Sequence, residues 1–124
     1  MTEICGHALL FEGRHAIGTR QGALDVARDI RASTARRLAQ IAALPTPATQ
    51  RPVVARWLVL EQRLADTYAH SYVAIYDVID AAMTSGRYIR ARRLIAQLLH
   101  APDPLRRAAS RLERQLQVPD CTGG

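Results

Sequence analysis

The chain has 124 residues, 48% of them hydrophobic and 5% aromatic, with a formal net charge of +6. This length fits one domain over residues 1–124, and the apolar content excludes a chain that is disordered by composition. The longest aliphatic cluster is far shorter than the roughly 18 apolar residues that a membrane-spanning helix needs, so we predict no transmembrane segment. Residues 1–5 have neither the basic nor the apolar region of a signal peptide.

All 17 basic residues are arginine, and neither lysine nor asparagine occurs. A surface of this charge attracts phosphates and acidic membranes. A GC-rich genome gives the same composition without selection on binding, because its codons favour arginine over lysine and asparagine. The charge therefore has two interpretations, of which codon bias ranks first.

Residues 3–17 are predicted to form a short N-terminal helix, with Ile4, Ala8, Leu9 and Phe11 towards the core. Glycines between positions 6 and 22 argue against a long helix there, since each interior glycine costs about 1 kcal/mol. From Ala23 the apolar residues recur at steps of three and four, which predicts a helix over residues 23–44. Proline at positions 45 and 47 ends this helix.

A second helix is predicted over residues 52–83, with Pro52 in its first turn. Its apolar stripe consists of Val53, Trp57, Leu60, Leu64, Tyr68, Ile75, Ile79 and Met83. The sequence at 84–86, Thr-Ser-Gly, indicates a helix stop and a tight reversal.

A third helix is predicted over residues 87–99, with Ile89, Leu94, Ile95, Leu98 and Leu99 on its apolar face. The sequence Pro-Asp-Pro at 102–104 interrupts it, and Asp103 is a candidate N-cap for a continuation to residue 117. This last part is either one kinked helix or two. No segment shows the alternation of a strand. The prediction is an all-α, up-and-down bundle with four passes, meaning four traverses along the bundle axis.

Cys5 and Cys121 lie near the two ends of the domain. They are either unrelated thiols or partners in a disulfide. Four passes would bring the chain ends to the same end of the bundle, and a bridge over so long a loop adds on the order of 4–5 kcal/mol in the chain-entropy model. We predict the disulfide.

The chain resembles small, mostly uncharacterised secreted or lipid-anchored helical domains of high-GC Gram-positive bacteria. The similarity is carried by the cysteine near the start, the segment Ile-Ala-Ala-Leu-Pro at 41–45, and the ending Val-Pro-Asp-Cys-Thr-Gly at 118–123. The glycine-rich stretch 13–22 departs from that pattern. The resemblance implies a disulfide-bonded bundle outside the cytoplasm and no known activity.

No catalytic, metal or cofactor signature is present, so we predict a protein that is not an enzyme and needs no cofactor. Asp66 and His70 share a helix face, but a metal site needs three or four converging ligands. The serines have no nucleophile-elbow context, and no glycine-rich loop that cradles phosphate occurs.

An aromatic ladder is predicted along the second helix. Tyr68, Tyr72 and Tyr76 repeat every four residues, and Trp57 lies in the same helix. These rings are either an amphipathic edge of the bundle or, because Tyr and Trp are enriched at interfaces, an interface or ligand groove.

The last third of the chain is its basic part. Five arginines are candidate anion contacts: Arg90 and Arg93 on one helix face, and Arg107, Arg111 and Arg114 on another. Solvated arginines covering the core edge are the simpler interpretation.

Two function classes follow. The first is a non-enzymatic helical module outside the cytoplasm that binds a partner protein or the cell envelope, with peripheral contact to anionic membrane as one mode. The alternative is a cytoplasmic, dimeric helical regulator with nucleic-acid contact, which ranks second because no DNA-binding or RNA-binding motif is recognisable.

Overall fold

A computed structural model of the protein describes residues 18–116. Within this range the chain forms four α-helices: α1, Arg20–Ala42; α2, Arg51–Ser85; α3, Tyr88–His100; and α4, Asp103–Leu116. A 3₁₀ turn, Ala48–Gln50, precedes α2, and no strand occurs between residues 18 and 116. The all-α prediction is confirmed. The predictions for residues 3–17, Cys5 and Cys121 lie outside the described residues.

The α2 helix is central, because it packs against α1, α3 and α4. Ion pairs from Arg20 to Asp77 and from Arg37 to Glu61 show that α1 runs antiparallel to α2. The hydroxyl of Ser71 donates to the carbonyl of Leu98 in α3. Together these contacts give an up-and-down arrangement of three passes, in which α3 and α4 form the last.

The helix ends have identifiable local causes. At the start of α1, the hydroxyl of Thr19 accepts a hydrogen bond from the backbone N–H of Gly22 at 2.9 Å, which satisfies one of the unpaired donors of the first turn. At the end of α2, Gly86 adopts φ +74° and its N–H donates to the carbonyl of Ala82 at 2.8 Å. Glycine suits this left-handed position because it has no Cβ to clash.

The last pass is two helices rather than one. Residues 101 and 102 separate α3 from α4, and Ala101 keeps right-handed helical angles. Pro102 is fully buried at the bend. Because proline lacks an N–H and clashes with the preceding turn, the chain changes direction there. Its carbonyl still accepts from the N–H of Arg106, so α4 starts at once.

The core centres on Trp57, which is 1% exposed. It packs with Leu38 and Ile41 of α1 and with Ala109 of α4. Four partly buried leucines surround this cluster: Leu58, Leu60, Leu112 and Leu116. All three passes therefore meet at one end of the bundle.

The prediction of an apolar stripe along α2 is wrong at the C-terminal end of this helix. Ile79 is 44% exposed and Met83 74% exposed, and Ile89 in α3 is as exposed as Met83. From residue 69 of α2 through α3, the buried positions belong to small side chains: Ala69, Ser71, Ala82 and Ala91. Helices that touch through alanine and serine leave the longer side chains outside the contact.

Nowhere in the described part of the chain is a helix both long enough and apolar enough to span a bilayer.

Candidate functional site

Trp57 is not part of an exposed face, which corrects its inclusion in the interface or ligand groove. Its indole Nε1 donates a hydrogen bond of 2.9 Å to Oε1 of Glu113, and both side chains are buried. Because the one polar atom of the indole is satisfied inside the bundle, the whole ring can pack as a core side chain. Trp57 is therefore a structural anchor.

The tyrosine ladder contacts the rest of the bundle. The hydroxyl of Tyr68 accepts a hydrogen bond from Arg106, whose guanidinium also lies 5.6 Å from the centre of the Tyr68 ring. The hydroxyl of Tyr76 donates to the carbonyl of Gly18 at 3.2 Å. Both rings, and that of Tyr72, are half-buried. The ladder thus has the geometry of an amphipathic edge that ties α2 to α4 and to Gly18, two residues before α1.

Two buried glutamates, Glu61 and Glu113, escaped the sequence reasoning. Glu61 Oε2 lies 3.6 Å from Arg37 Nη2, and Glu113 receives the Trp57 indole. Both carboxylates are less than 4% exposed. Glu61 lies one turn after Trp57 on the core stripe, which is the signal that could have identified it. Buried charges require partners of this kind, so these contacts fix which faces of α1, α2 and α4 meet.

A second polar cluster bridges the bend between α3 and α4. Asp103 lies 3.0 Å from Nδ1 of His100 and accepts from Arg106 at 3.0 Å. The hydrogen bond from His100 lowers the pKa of the Asp103 carboxyl below its ordinary value of 3.8; burial opposes this, and the charges of His100, Arg106 and Arg107 add to it. Asp103 was predicted as an N-cap, and its carboxylate instead joins the side chains on either side of the bend.

The predicted anion contacts separate into two groups. Arg107, Arg111 and Arg114 line a hollow of about 320 Å³ on α4, together with Arg106 and Ser110. We call this set the arginine surface. Arg90 and Arg93 are exposed on α3 and do not line that hollow. Within residues 18–116, no carboxylate forms an ion pair with Arg107, Arg111 or Arg114.

A larger groove lies beside the arginine surface, between α2 and α4, with a volume of about 600 Å³. Its lining includes two alanines, a glutamine and six larger residues: Arg56, Val59, Leu60 and Arg63 from α2, and Arg111 and Leu112 from α4. Leu60 and Leu112 also pack against the core cluster, so they form the inner part of the groove. No acidic residue lines it. We call it the α2–α4 groove.

Sequence reasoning missed Arg56, Val59 and Arg63 as site residues. Arg56 and Arg63 are seven positions apart and lie on one side of α2, which is visible in the sequence. Their relation to Arg111 depends on how α4 packs against α2, and no local pattern contains it.

Asp66 and His70, which share a face of α2, have different surroundings. Asp66 forms an ion pair with Arg31 and accepts from Gln62, and His70 is exposed. Among residues 18–116, no group of three or more His, Cys, Asp or Glu side chains is placed to hold a metal ion.

No protein-family model, curated protein or solved structure matches this chain. The resemblance to secreted helical domains of high-GC bacteria therefore stays a prediction.

Proposed function

We propose that this protein is a non-enzymatic binding module that recognises an anionic partner, either a protein or the cell envelope, through the arginine surface of α4. The observation that carries the proposal is the hollow that brings Arg107, Arg111 and Arg114 together, with no ion-pair partner for them among residues 18–116. Codon bias accounts for arginine content but not for this clustering.

Among residues 18–116, the acidic residues of α4 form no ion pair with Arg107, Arg111 or Arg114 of this surface. Glu113 is buried with Trp57, and Asp103 is engaged with His100 and Arg106 at the bend. The arginines that remain exposed can each form two parallel hydrogen bonds to a carboxylate or phosphate. A net charge of +6 adds a long-range attraction for anions.

Catalysis is not part of the proposal, and three serine hydroxyls form hydrogen bonds with the backbone. Ser33 donates to the carbonyl of Ile30, and Ser71 to that of Leu98. Ser85 accepts from the N–H of Arg87 at the end of α2. These contacts suit helix ends and helix packing.

The location outside the cytoplasm is proposed on sequence grounds alone. It rests on the cysteine at each end of the chain and on the resemblance to secreted domains.

The test is binding to two anionic probes, poly-glutamate and vesicles of equimolar phosphatidylglycerol and phosphatidylcholine, as a function of salt. We expect the logarithm of the binding constant to fall linearly with the logarithm of salt concentration, because arginine contacts release counterions. The variant R107Q/R111Q should bind at least about tenfold more weakly at low salt, with a shallower slope.

The matched control is R90Q/R93Q, which removes the same charge from α3 and should change binding by less than about twofold if the site is local. Equal losses in both variants would mean that only net charge matters, and the proposal would fail. Tight binding to one DNA sequence would favour the cytoplasmic regulator instead.

A further inference from the structure

We propose that the α2–α4 groove is the docking site for an acidic amphipathic helix of a partner protein. This inference rests on the proposed function and names the partner class. The groove combines an apolar interior with arginines on both walls, and that combination selects one kind of occupant.

The interior of the groove suits aliphatic side chains. Leu60 and Leu112 are half-buried and connect it to the core, while Val59 is 54% exposed. An exposed valine that lines the same groove as these leucines gains from being covered, because its apolar area is removed from water. The residues that line the groove span about 12 Å of α2, which is about two helical turns.

The arginines that line the groove from α2 are spaced by seven residues, about two turns of a helix. Arg56 and Arg63 are about 10.5 Å apart along α2, and Arg111 lines the groove from α4, whereas Arg107 and Arg114 line the neighbouring hollow. A helix lying between α2 and α4 with an apolar stripe inward carries flanking positions on both sides, and each recurs every seven residues. Glutamate or aspartate at those positions would meet Arg56 and Arg63 on the α2 wall and Arg111 on the α4 wall.

A single lipid does not fit this pattern. Its head group lies at one end of its chain, so it would pair with the arginines at one end of the groove and leave those two turns away without a partner. A second copy of this chain placed symmetrically on the groove would bring Arg56, Arg63 and Arg111 against the same residues, and like charges disfavour that contact.

The probe is a synthetic three-heptad peptide with leucine at a and d, glutamate at e and g, and alanine or glutamine elsewhere. The glutamates disfavour self-association of the peptide. We expect it to bind the full-length protein with a dissociation constant of about 10–100 μM, measured by calorimetry. Amide NMR shifts should change at Val59, Leu60 and Leu112 and not in α1.

Two protein variants test the apolar and the charged parts separately. V59D places a charge at an exposed position, so the fold survives while peptide affinity falls at least about tenfold. R56E/R111E should lose a similar factor, whereas R90E/R93E, the same charge change on α3, should stay within about twofold. Circular dichroism confirms that each variant is folded.

Two control peptides complete the design. One has glutamine for glutamate, and the other has the same composition with its leucines spread around the helix. Equal binding of either control, or unchanged binding by V59D, overturns the inference.

The outcomes separate this inference from the proposed function. If V59D binds the peptide normally while R107Q/R111Q still loses poly-glutamate binding, the groove proposal fails and the proposed function stands. If V59D weakens vesicle binding but not peptide binding, the occupant is lipid and the inference is wrong. A wild-type dimer that V59D dissociates would also overturn it, because a second copy would then cover the groove.

Discussion

At the scale of single residues, the polar atoms in the core determine how the helices are oriented. Trp57 donates to Glu113 across α2 and α4, and Arg37 pairs with Glu61 across α1 and α2. Rotating any of these helices would separate a buried charge from its partner, at a cost of several kcal/mol. A core of leucine and alanine alone would tolerate several rotations, so these few side chains supply the specificity.

Replacing Trp57 tests this anchor. We expect W57A to lower the free energy of unfolding by about 3–5 kcal/mol, since it opens a cavity in the cluster. W57F keeps an aromatic ring but removes the indole donor to Glu113 and part of the ring volume, so its cost should be about 1–3 kcal/mol. Both are measured by denaturant unfolding followed by circular dichroism. A loss under about 1 kcal/mol in W57A would place the ring at the surface and restore the interface interpretation.

At the scale of helices, the sequence predicted the elements well and their packing only in part. The first helix was expected from residue 23 and begins at Arg20, because Thr19 caps it through the N–H of Gly22. The glycine that argued against a helix is thus the donor in its cap. The stop at Gly86 was predicted, because glycine in a left-handed position is a local signal.

Which apolar residues are buried depends on tertiary contacts that the local sequence does not contain. Ile79 and Met83 continue the apolar periodicity of Leu60 and Leu64, yet they are exposed because Ala82 and Ala91 form the contacts at that end. Of the candidate site, the arginines of α4 were identified from the sequence. The α2–α4 groove was not, because it consists of two segments about 50 positions apart, brought together only by packing.

Asp103, at the bend between α3 and α4, should make the stability of the fold depend on pH. Its hydrogen bond with His100 lowers the pKa of Asp103, so the folded state binds this proton less readily than the unfolded state. The resulting stabilisation is complete above the ordinary pKa of 3.8 and is lost as the pH falls through the lower value in the folded protein. The stability difference between wild type and D103N should therefore be present at about pH 5 and shrink as the pH falls below about 4.

Urea unfolding at a series of pH values measures this difference. H100Q is the informative second variant, since it removes the largest cause of the shift and should move the loss towards pH 3.8. A wild-type advantage that declines between pH 8 and pH 6 would assign the effect to a different group.

At the scale of the whole molecule, the described ends of the chain lie at opposite ends of the bundle. Gly18 is bonded to Tyr76, whereas Leu116 packs on the cluster around Trp57. Tyr76 and Trp57 are 19 positions apart on α2, which corresponds to about 28 Å along its axis. An odd number of passes places the two chain ends at opposite ends of a bundle, and this bundle has three passes between residues 18 and 116.

A bridge between Cys5 and Cys121 must therefore cover that distance. The 13 residue steps from Gly18 back to Cys5 reach about 20 Å if helical, and the five steps from Leu116 to Cys121 reach about 17 Å if extended. Together these exceed the 28 Å to be covered. The disulfide is within reach if residues 3–17 return along the bundle, which is the fourth pass that the sequence predicts.

The reactivity of the two cysteine thiols tests whether this disulfide forms. We expect the folded, non-reduced protein to have no thiol that reacts with Ellman's reagent, and reduction to lower its melting temperature. Closing a loop of this length constrains the unfolded chain, so C5S/C121S should lose on the order of 4–5 kcal/mol, less any strain relieved. The single variant C5S should lose as much as the double variant, because either change opens the same loop. Two reactive thiols in the non-reduced, folded protein would contradict the bridge, and with it the strongest sequence argument for a location outside the cytoplasm.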